Sequence, residues 1–541
     1  MTSAATLPRS SVGRALVGGA VLLVLAGVLA APSSTTLPGP TQFWGVVAAA
    51  VVLATGVAIG IVFPVEAYYA TVVLAVLEGA FRKWVLNDIT VFMLKDFVLL
   101  GVYGAVLPRL SRADYRRPLW LLIPLAALVL LALGEAPLSA THTQALIGLR
   151  GYFIYVPLLW VAPAIISSPE RRRALVLLVL GLAFGEAILA LFQIAAGPGG
   201  INKLVSGAQY GIVTIRGHAY LRPSGTFMQN GTLSAFALPA VLFGLATVVA
   251  SRRAQLVALG LTTLPVLVVL VVLSGSRGLF GCVVPAVAVF VVSLVVQRRL
   301  GTLAAAIAAS AIGLAVLLLA FTASAAVAAW VSVAITLVAV ATVRVEAVRV
   351  RVLGRVARPR RIATFAVIAA AAVVAPILVL QLARGGGGTV VGGLVARGTG
   401  TANVGAETGS GVFATRIRPE LRRIRAAGLR GHGPGTQSLG AEYDPGARIL
   451  PGESEYSKVA DELGLVGLAF FLWFLVALAV GSVQGARASE EPWERTTALS
   501  AAALTILLPV WLLVAYTLDF PIVGLLFYSL VGCAIRARAA S

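Results

Sequence analysis

The chain has 541 residues, 59% of them hydrophobic and only 12% charged, with a mean hydropathy of +0.97. Soluble domains carry about 25% charged residues, so this composition excludes an ordinary soluble fold. The net charge of +21 is nearly all arginine, with Lys83, Lys95, Lys203 and Lys458 the only lysines, and much of it lies in short connections between apolar runs. That placement argues against a nucleic-acid-binding face.

A helical crossing of the hydrocarbon core needs about 20 apolar residues. Apolar runs fall at 14–31, 43–63, 65–81, 90–107, 118–134, 149–166, 174–197, 231–250, 254–273, 279–297, 302–322, 326–342, 362–382, 460–483, 497–517 and 521–535. The predicted fold class is all-α, a polytopic transmembrane helix bundle with a large extracytoplasmic loop. Three parts follow: a bundle over 1–382 with an outer loop at 198–230, an extracytoplasmic loop with short helices at 383–459, and C-terminal transmembrane helices over 460–541.

Arg9 and Arg14 precede the first run, and Pro32-Ser33-Ser34 follows it. This resembles a signal peptide, but the length of the run favours a retained first helix. With the N-terminus inside, strict alternation places Arg109 to Arg117, Arg171 to Arg173, Arg252, Arg253, Arg298, Arg299, the run from Arg344 to Arg361, Arg487, Arg495, Arg536 and Arg538 in the cytoplasm. That satisfies the positive-inside rule and predicts a plasma-membrane protein with both termini cytoplasmic. Arg82 and Lys83 are the exception, falling outside.

Charged residues within apolar runs must be paired, functional or both. Glu78 and Arg82 stand four apart on one predicted helix face, and Lys95-Asp96 lies in the next run. Mutual pairing is the structural expectation for this set. Cys282 and Cys533 both sit in apolar runs and read as small buried hydrophobes.

Four motifs bear on chemistry. The first is Arg222-Pro223-Ser224-Gly225-Thr226-Phe227 with Gln229-Asn230, at the end of the first outer loop. The second is Ser274-Gly275-Ser276-Arg277-Gly278, where Arg277 offers a planar fork suited to phosphate oxygens, or else snorkels from a helix turn. The third lies in the second outer loop. There Arg416, Arg418, Arg422, Arg423 and Arg425 surround Leu421 and Ile424 in an amphipathic helix that begins near Pro419 and ends near Gly428. Lipid headgroups or an anionic substrate could meet it. The helix leads into Gly431-His432-Gly433-Pro434-Gly435, where His432 is suited to proton exchange near neutral pH or is simply a loop residue. The fourth is Glu453-Ser454-Glu455-Tyr456, ahead of Asp461-Glu462-Leu463-Gly464.

Taken in order, these motifs resemble the O-antigen ligase and O-antigen polymerase superfamily of bacterial envelope glycosyltransferases, most strongly over residues 222 to 470. The resemblance implies a glycan carried on a polyprenyl diphosphate, attacked at its anomeric carbon by a hydroxyl of a glycan or lipid acceptor. Fixed guanidiniums would stabilise the departing diphosphate and a base would take the hydroxyl proton. On this basis Arg222, Arg277, Arg416 and Arg422 are the expected diphosphate ligands. Ligases of the family often carry His-Asn where this chain has Glu453-Ser454, which leaves His432, Glu453 and Glu455 as candidate bases. No metal motif or nucleotide loop is evident in the sequence, so neither a metal nor a cofactor is expected. The expected partners are the lipid-linked donor, the acceptor and membrane lipids, with no nucleic acid. The alternative reading is a transporter or flippase for a lipid-linked or hydrophobic solute. Broken helices and charges near mid-membrane, such as Glu186, would favour it. A non-catalytic envelope-assembly protein on the same fold is the third reading.

Overall fold

The computed structural model describes residues 40–85, 89–111, 119–196, 212–215, 218–250, 252–274, 276–307, 309–310, 418–438, 446, 454–513, 515 and 518–540. The described residues are overwhelmingly α-helical. The helices are α1 (Pro40–Val62), α2 (Pro64–Trp84), α3 (Ile89–Val106), α4 (Leu119–Glu135), α5 (His142–Phe153), α6 (Leu158–Ile165) and α7 (Pro169–Ala196). A small hairpin follows, β1 (Ile212–Ile215) against β2 (His218–Leu221), antiparallel with Val213 opposite Tyr220. Then come α8 (Asn230–Ala250), α9 (Ala254–Ser274), α10 (Arg277–Val296), α11 (Arg418–Ala426), α12 (Glu455–Ala488), α13 (Pro492–Leu512) and α14 (Pro521–Ala540).

Among the described residues, α2, α3, α4, α7, α8, α9, α12 and α13 are long and apolar enough to cross a membrane, and the bent pair α5–α6 makes a ninth if counted as one span. The protein is therefore a multi-span helical membrane protein. The runs expected at 14–31, 326–342 and 362–382, and most of 302–322, lie outside the described residues. The helices are set by polar residues at their ends. Thr141, Ser276, Ser454 and Glu491 each accept a backbone N–H of the first turn, while Pro64 and Pro492 occupy first-turn positions that need no donor.

Two runs differ from simple rods. The run at 149–166 is bent by 49° between α5 and α6, at a break that ends on Pro157. The C-terminal run begins earlier than its hydropathy shows: α12 starts at Glu455, so the 459/460 boundary falls inside a helix of 34 residues. At about 1.5 Å per residue it reaches roughly 50 Å, well beyond a hydrocarbon core of about 30 Å. Its polar first turns therefore extend past the apolar span, and Gly464 kinks the helix between the two parts with φ 71° and ψ 178°.

Contacts between helix ends sort the bundle into two faces. At one, Arg172 pairs with Glu494 at 3.4 Å, Arg299 donates to the Val248 carbonyl at 2.8 Å and Arg536 to that of Pro163 at 3.0 Å. Arg299 and Arg536 sit where helix C-termini expose unpaired carbonyls, while Arg172 meets an acidic residue in the first turn of α13. The opposite face gathers the C-terminal ends of α2, α7, α9 and α13 with the N-terminal ends of α3, α8, α10, α12 and α14. The motifs singled out in the sequence lie there.

Candidate functional site

Residues 223–227 form a buried loop threaded into this face. Lys83 donates to Ser224 Oγ at 2.7 Å and to the Gly225 carbonyl at 2.9 Å. The Gln193 side chain accepts from the backbone of Ser224 and Gly225 and donates back to the Gly225 carbonyl. Glu186 accepts from the Thr226 backbone at 2.9 Å and also bonds the Thr226 hydroxyl. The loop backbone runs so close to α2 that a Cβ on Gly79 would collide with Thr226, Phe227 and Met228. Lys83, one of the two cations that broke the positive-inside pattern, is thus a clamp within the protein.

Arg82, the other exception, belongs to an adjoining network. It pairs with Glu78 at 3.2 Å, and Lys95 reaches the second oxygen of Glu78 at 2.6 Å. Asp96 takes Nε and Nη2 of Arg150 at 2.8 and 2.7 Å and the Tyr155 hydroxyl at 3.1 Å. Arg82, Lys95 and Arg150 surround the Phe92 ring at 4.2 to 5.1 Å. The expected pairing of Glu78, Arg82, Lys95 and Asp96 is present, with Arg150 as a member not foreseen. A cleft of about 90 Å³ opens beside it, lined by Glu78, Arg82, Phe227, Gln229 and Phe520 among others.

Arg222 leaves the loop and donates through Nε and Nη2 to the Ser274 carbonyl, at 3.3 and 3.0 Å. The first two motifs are thereby joined. Arg277 opens α10, with Ser276 as its N-cap, but its side chain lies outside the described residues. Arg416 and Glu453 also lie outside them.

The third and fourth motifs meet at the kink of α12. A positive φ at Gly464 interrupts the helical ladder and frees backbone groups that must find other partners. The loop after α11 supplies them. His432 N–H donates to the Asp461 carbonyl at 2.8 Å, Gly433 N–H to that of Glu462 at 3.2 Å, and Leu465 N–H to that of Gly428 at 3.0 Å. A Cβ on Gly464 would strike the Leu429 carbonyl, so glycine is required by both space and φ. Side chains extend the seam: Glu462 accepts from Gln437 N–H at 2.7 Å, and Gln437 donates to Asp461 at 2.6 Å. The other side of the loop is held by Ser139, whose hydroxyl donates to the Pro434 carbonyl at 2.8 Å.

Beneath the seam is a fully buried charge cluster. Lys458 lies 2.5 Å from Asp519 and 3.5 Å from Glu455. The Tyr152 ring lies 4.9 Å from the lysine nitrogen. Helix α5 thus sends Arg150 into one network and Tyr152 into the other. Outside this core, Glu420 of α11 pairs with Arg423 at 3.0 Å and bonds Ser457 of α12, which docks the arginine helix.

Of the sequence candidates, Glu455 is buried in the cluster, while His432 and Arg422 are exposed above it. His432 Nδ1 lies 3.1 Å from the Asp461 carbonyl. A carbonyl only accepts, so Nδ1 is the donor in this contact, and in the neutral ring Nε2 is the acceptor nitrogen. Lys458, Glu462, Asp519 and Glu186 complete these networks without being among the expected site residues. Asp519 carries a signal in the sequence: it is a lone acid wedged between two apolar runs, two residues before Pro521. Among the described residues no group of three or more His, Cys, Asp or Glu is arranged to hold a metal ion, and Cys282 and Cys533 are buried thiols outside any disulfide. Comparison with protein-family models and with curated proteins found no match.

Proposed function

We propose that this protein is a membrane glycosyltransferase of O-antigen ligase or polymerase type, transferring a polyprenyl-diphosphate-linked glycan on the outer face of the plasma membrane. The observation that supports it is convergence. Segments far apart in sequence are bonded in two pairs, 222–229 to Ser274 and 418–438 to 454–465, and both pairs lie at the same face of the bundle. That face lies opposite the arginine-rich one, which the positive-inside rule assigns to the cytoplasm. The exposed Arg418, Arg422 and Arg425 lie on α11, and the connection from α11 to α12 carries the exposed His432. An anionic leaving group and an attacking hydroxyl require that combination. Arg277 and Arg416 are the proposed diphosphate ligands, with Arg422 beside them and Arg222 in support.

The transporter reading draws on the bend in α5–α6, the kink in α12 and Glu186. Both breaks are filled by protein: Tyr155 and Asp96 occupy the first, and the Leu429–Arg430 backbone the second. Glu186 is committed to Thr226. The experiment is reconstitution of the full chain in proteoliposomes with a polyprenyl-diphosphate oligosaccharide and a glycan acceptor. Formation of a longer glycan with release of the lipid diphosphate is expected. Movement of intact donor across the bilayer without transfer would replace this reading with the flippase.

A further inference from the structure

A groove of about 660 Å³ opens between α4 and the connection from α11 to α12. Its wall is apolar, formed by Leu130, Leu131, Leu138, Leu429 and Val466, and Glu135 and Arg430 mark its polar end. Leu130 is 70% exposed and Leu429 73%, and α4 is the least covered of the eight candidate spans. Lipid rather than water is the natural cover for such a surface. Glu135 is different in kind: it is only 8% exposed, and its Oε2 has no hydrogen-bond partner among the described residues. A buried carboxylate oxygen without a donor is costly, so such a group calls for an occupant.

We infer that this groove holds one bilayer phospholipid with a primary-amine headgroup, its phosphate on Arg430, its ammonium on Glu135 and its chains along the leucines. An ammonium supplies both the countercharge and the missing donor. A glycerol headgroup would supply only the donor, and a trimethylated amine only the charge. From Ala127 to Glu135 the helix rises about 12 Å, enough to seat the upper part of a chain while the rest stays in the bilayer. A polyprenyl diphosphate would set its negative charge against Glu135, so the groove is separate from the proposed donor site. Leu429 and Arg430 also fill the break at Gly464, two residues before His432. The bound lipid therefore fixes the loop that carries the exposed histidine.

The test is native mass spectrometry of the full chain released from phosphatidylcholine nanodiscs doped equally with phosphatidylethanolamine and phosphatidylglycerol. The wild-type chain should retain one phosphatidylethanolamine in preference to the other two lipids. Glu135→Gln should reduce that retention about tenfold, the size expected for one lost charge-assisted hydrogen bond. Arg430→Ala should weaken phosphatidylethanolamine and phosphatidylglycerol alike. A Cβ on Gly134 meets nothing within 4 Å, so Gly134→Phe can fill the groove without a backbone clash and should displace the lipid. Equal retention of all three lipids, or unchanged retention in Glu135→Gln, overturns the amine assignment. Full retention in Gly134→Phe overturns the groove itself. No glycan enters the assay, so its failure leaves the glycosyltransferase reading untouched.

Discussion

Lys458 reaches Asp519 across 2.5 Å, tying the first turn of α12 to the residue that leads into α14. Both side chains are buried, and Glu455 shares the lysine. Removing one member of a buried pair leaves an uncompensated charge and costs about 3–5 kcal/mol. Lys458→Met and Asp519→Leu should each lower the thermal unfolding midpoint in detergent by many degrees. The double variant should fall less than the sum of the two, because matched apolar replacements remove both charges. Strict additivity would show that the pair is not coupled.

The spans were legible because twenty apolar residues in a row leave few alternatives to a crossing helix. The Glu78–Arg82 pairing was legible from helical spacing. What hydropathy could not reveal was the start of α12, since Glu455 and Lys458 look like loop residues until their partners are known. Those partners lie outside the segment. Asp519 is 61 residues beyond Lys458, and the carbonyls freed at Gly464 are satisfied by a loop that precedes the helix. In the same way the Arg222 motif read as a substrate site, whereas much of it, from Ser224 to Thr226, anchors the loop through Lys83, Gln193 and Glu186.

The seam at Gly464 can be opened selectively. Gly464→Ala forces a side chain into a glycine-only backbone region, at about 1–3 kcal/mol, and against the Leu429 carbonyl. The loop should detach from α12. Thr436, within that loop and facing Glu462 of α12, is 1% exposed, so Thr436→Cys should resist a thiol reagent in the parent chain and react readily once Gly464→Ala is added. The native cysteines are buried and should stay silent in the parent. Equal protection in both backgrounds would mean that the loop is held by other contacts.

Arg222 and Arg277 should separate into support and binding. Arg222 places two donors on the Ser274 carbonyl, which lysine cannot reproduce. Arg222→Lys should cost about tenfold in turnover through misplacement of the 274–277 segment, with donor affinity little changed. Arg277→Lys should cripple transfer and weaken the donor, because a bidentate phosphate contact is lost although the charge remains. Both proteins should accumulate normally. Full activity in Arg277→Lys would remove that residue from the mechanism.

Sidedness can be read directly. Reporter tags in the 343–361 loop and at the C-terminus should lie in the cytoplasm, and a tag near Gly400 outside, following the arginine distribution. A cytoplasmic signal from Gly400 would place the proposed site on the wrong side for a lipid-linked donor presented externally.

If the proposed function holds, access favours His432 as the base. Glu455 is buried, with its carboxylate drawn toward Lys458, and an acceptor hydroxyl could reach it only by opening the cluster. Its neighbour Glu453 lies outside the described residues, at the position where ligases of the resembling family carry histidine. His432 is exposed, its backbone is fixed to α12 at 2.8 Å, and its ring is oriented by the Asp461 carbonyl so that Nε2 is free to accept a proton. Loss of a general base typically costs about 10²–10⁴-fold in rate. His432→Ala should therefore lose at least a hundredfold in kcat in the reconstituted assay with donor still bound. Glu455→Gln should act mainly through stability, and its residual turnover per folded molecule should remain within a few-fold of the parent. If His432→Ala turns over normally while Glu453→Gln is inactive, the carboxylate at 453 is the base. If all three variants retain activity per folded molecule, catalysis rests on positioning and on stabilisation of the diphosphate by arginine.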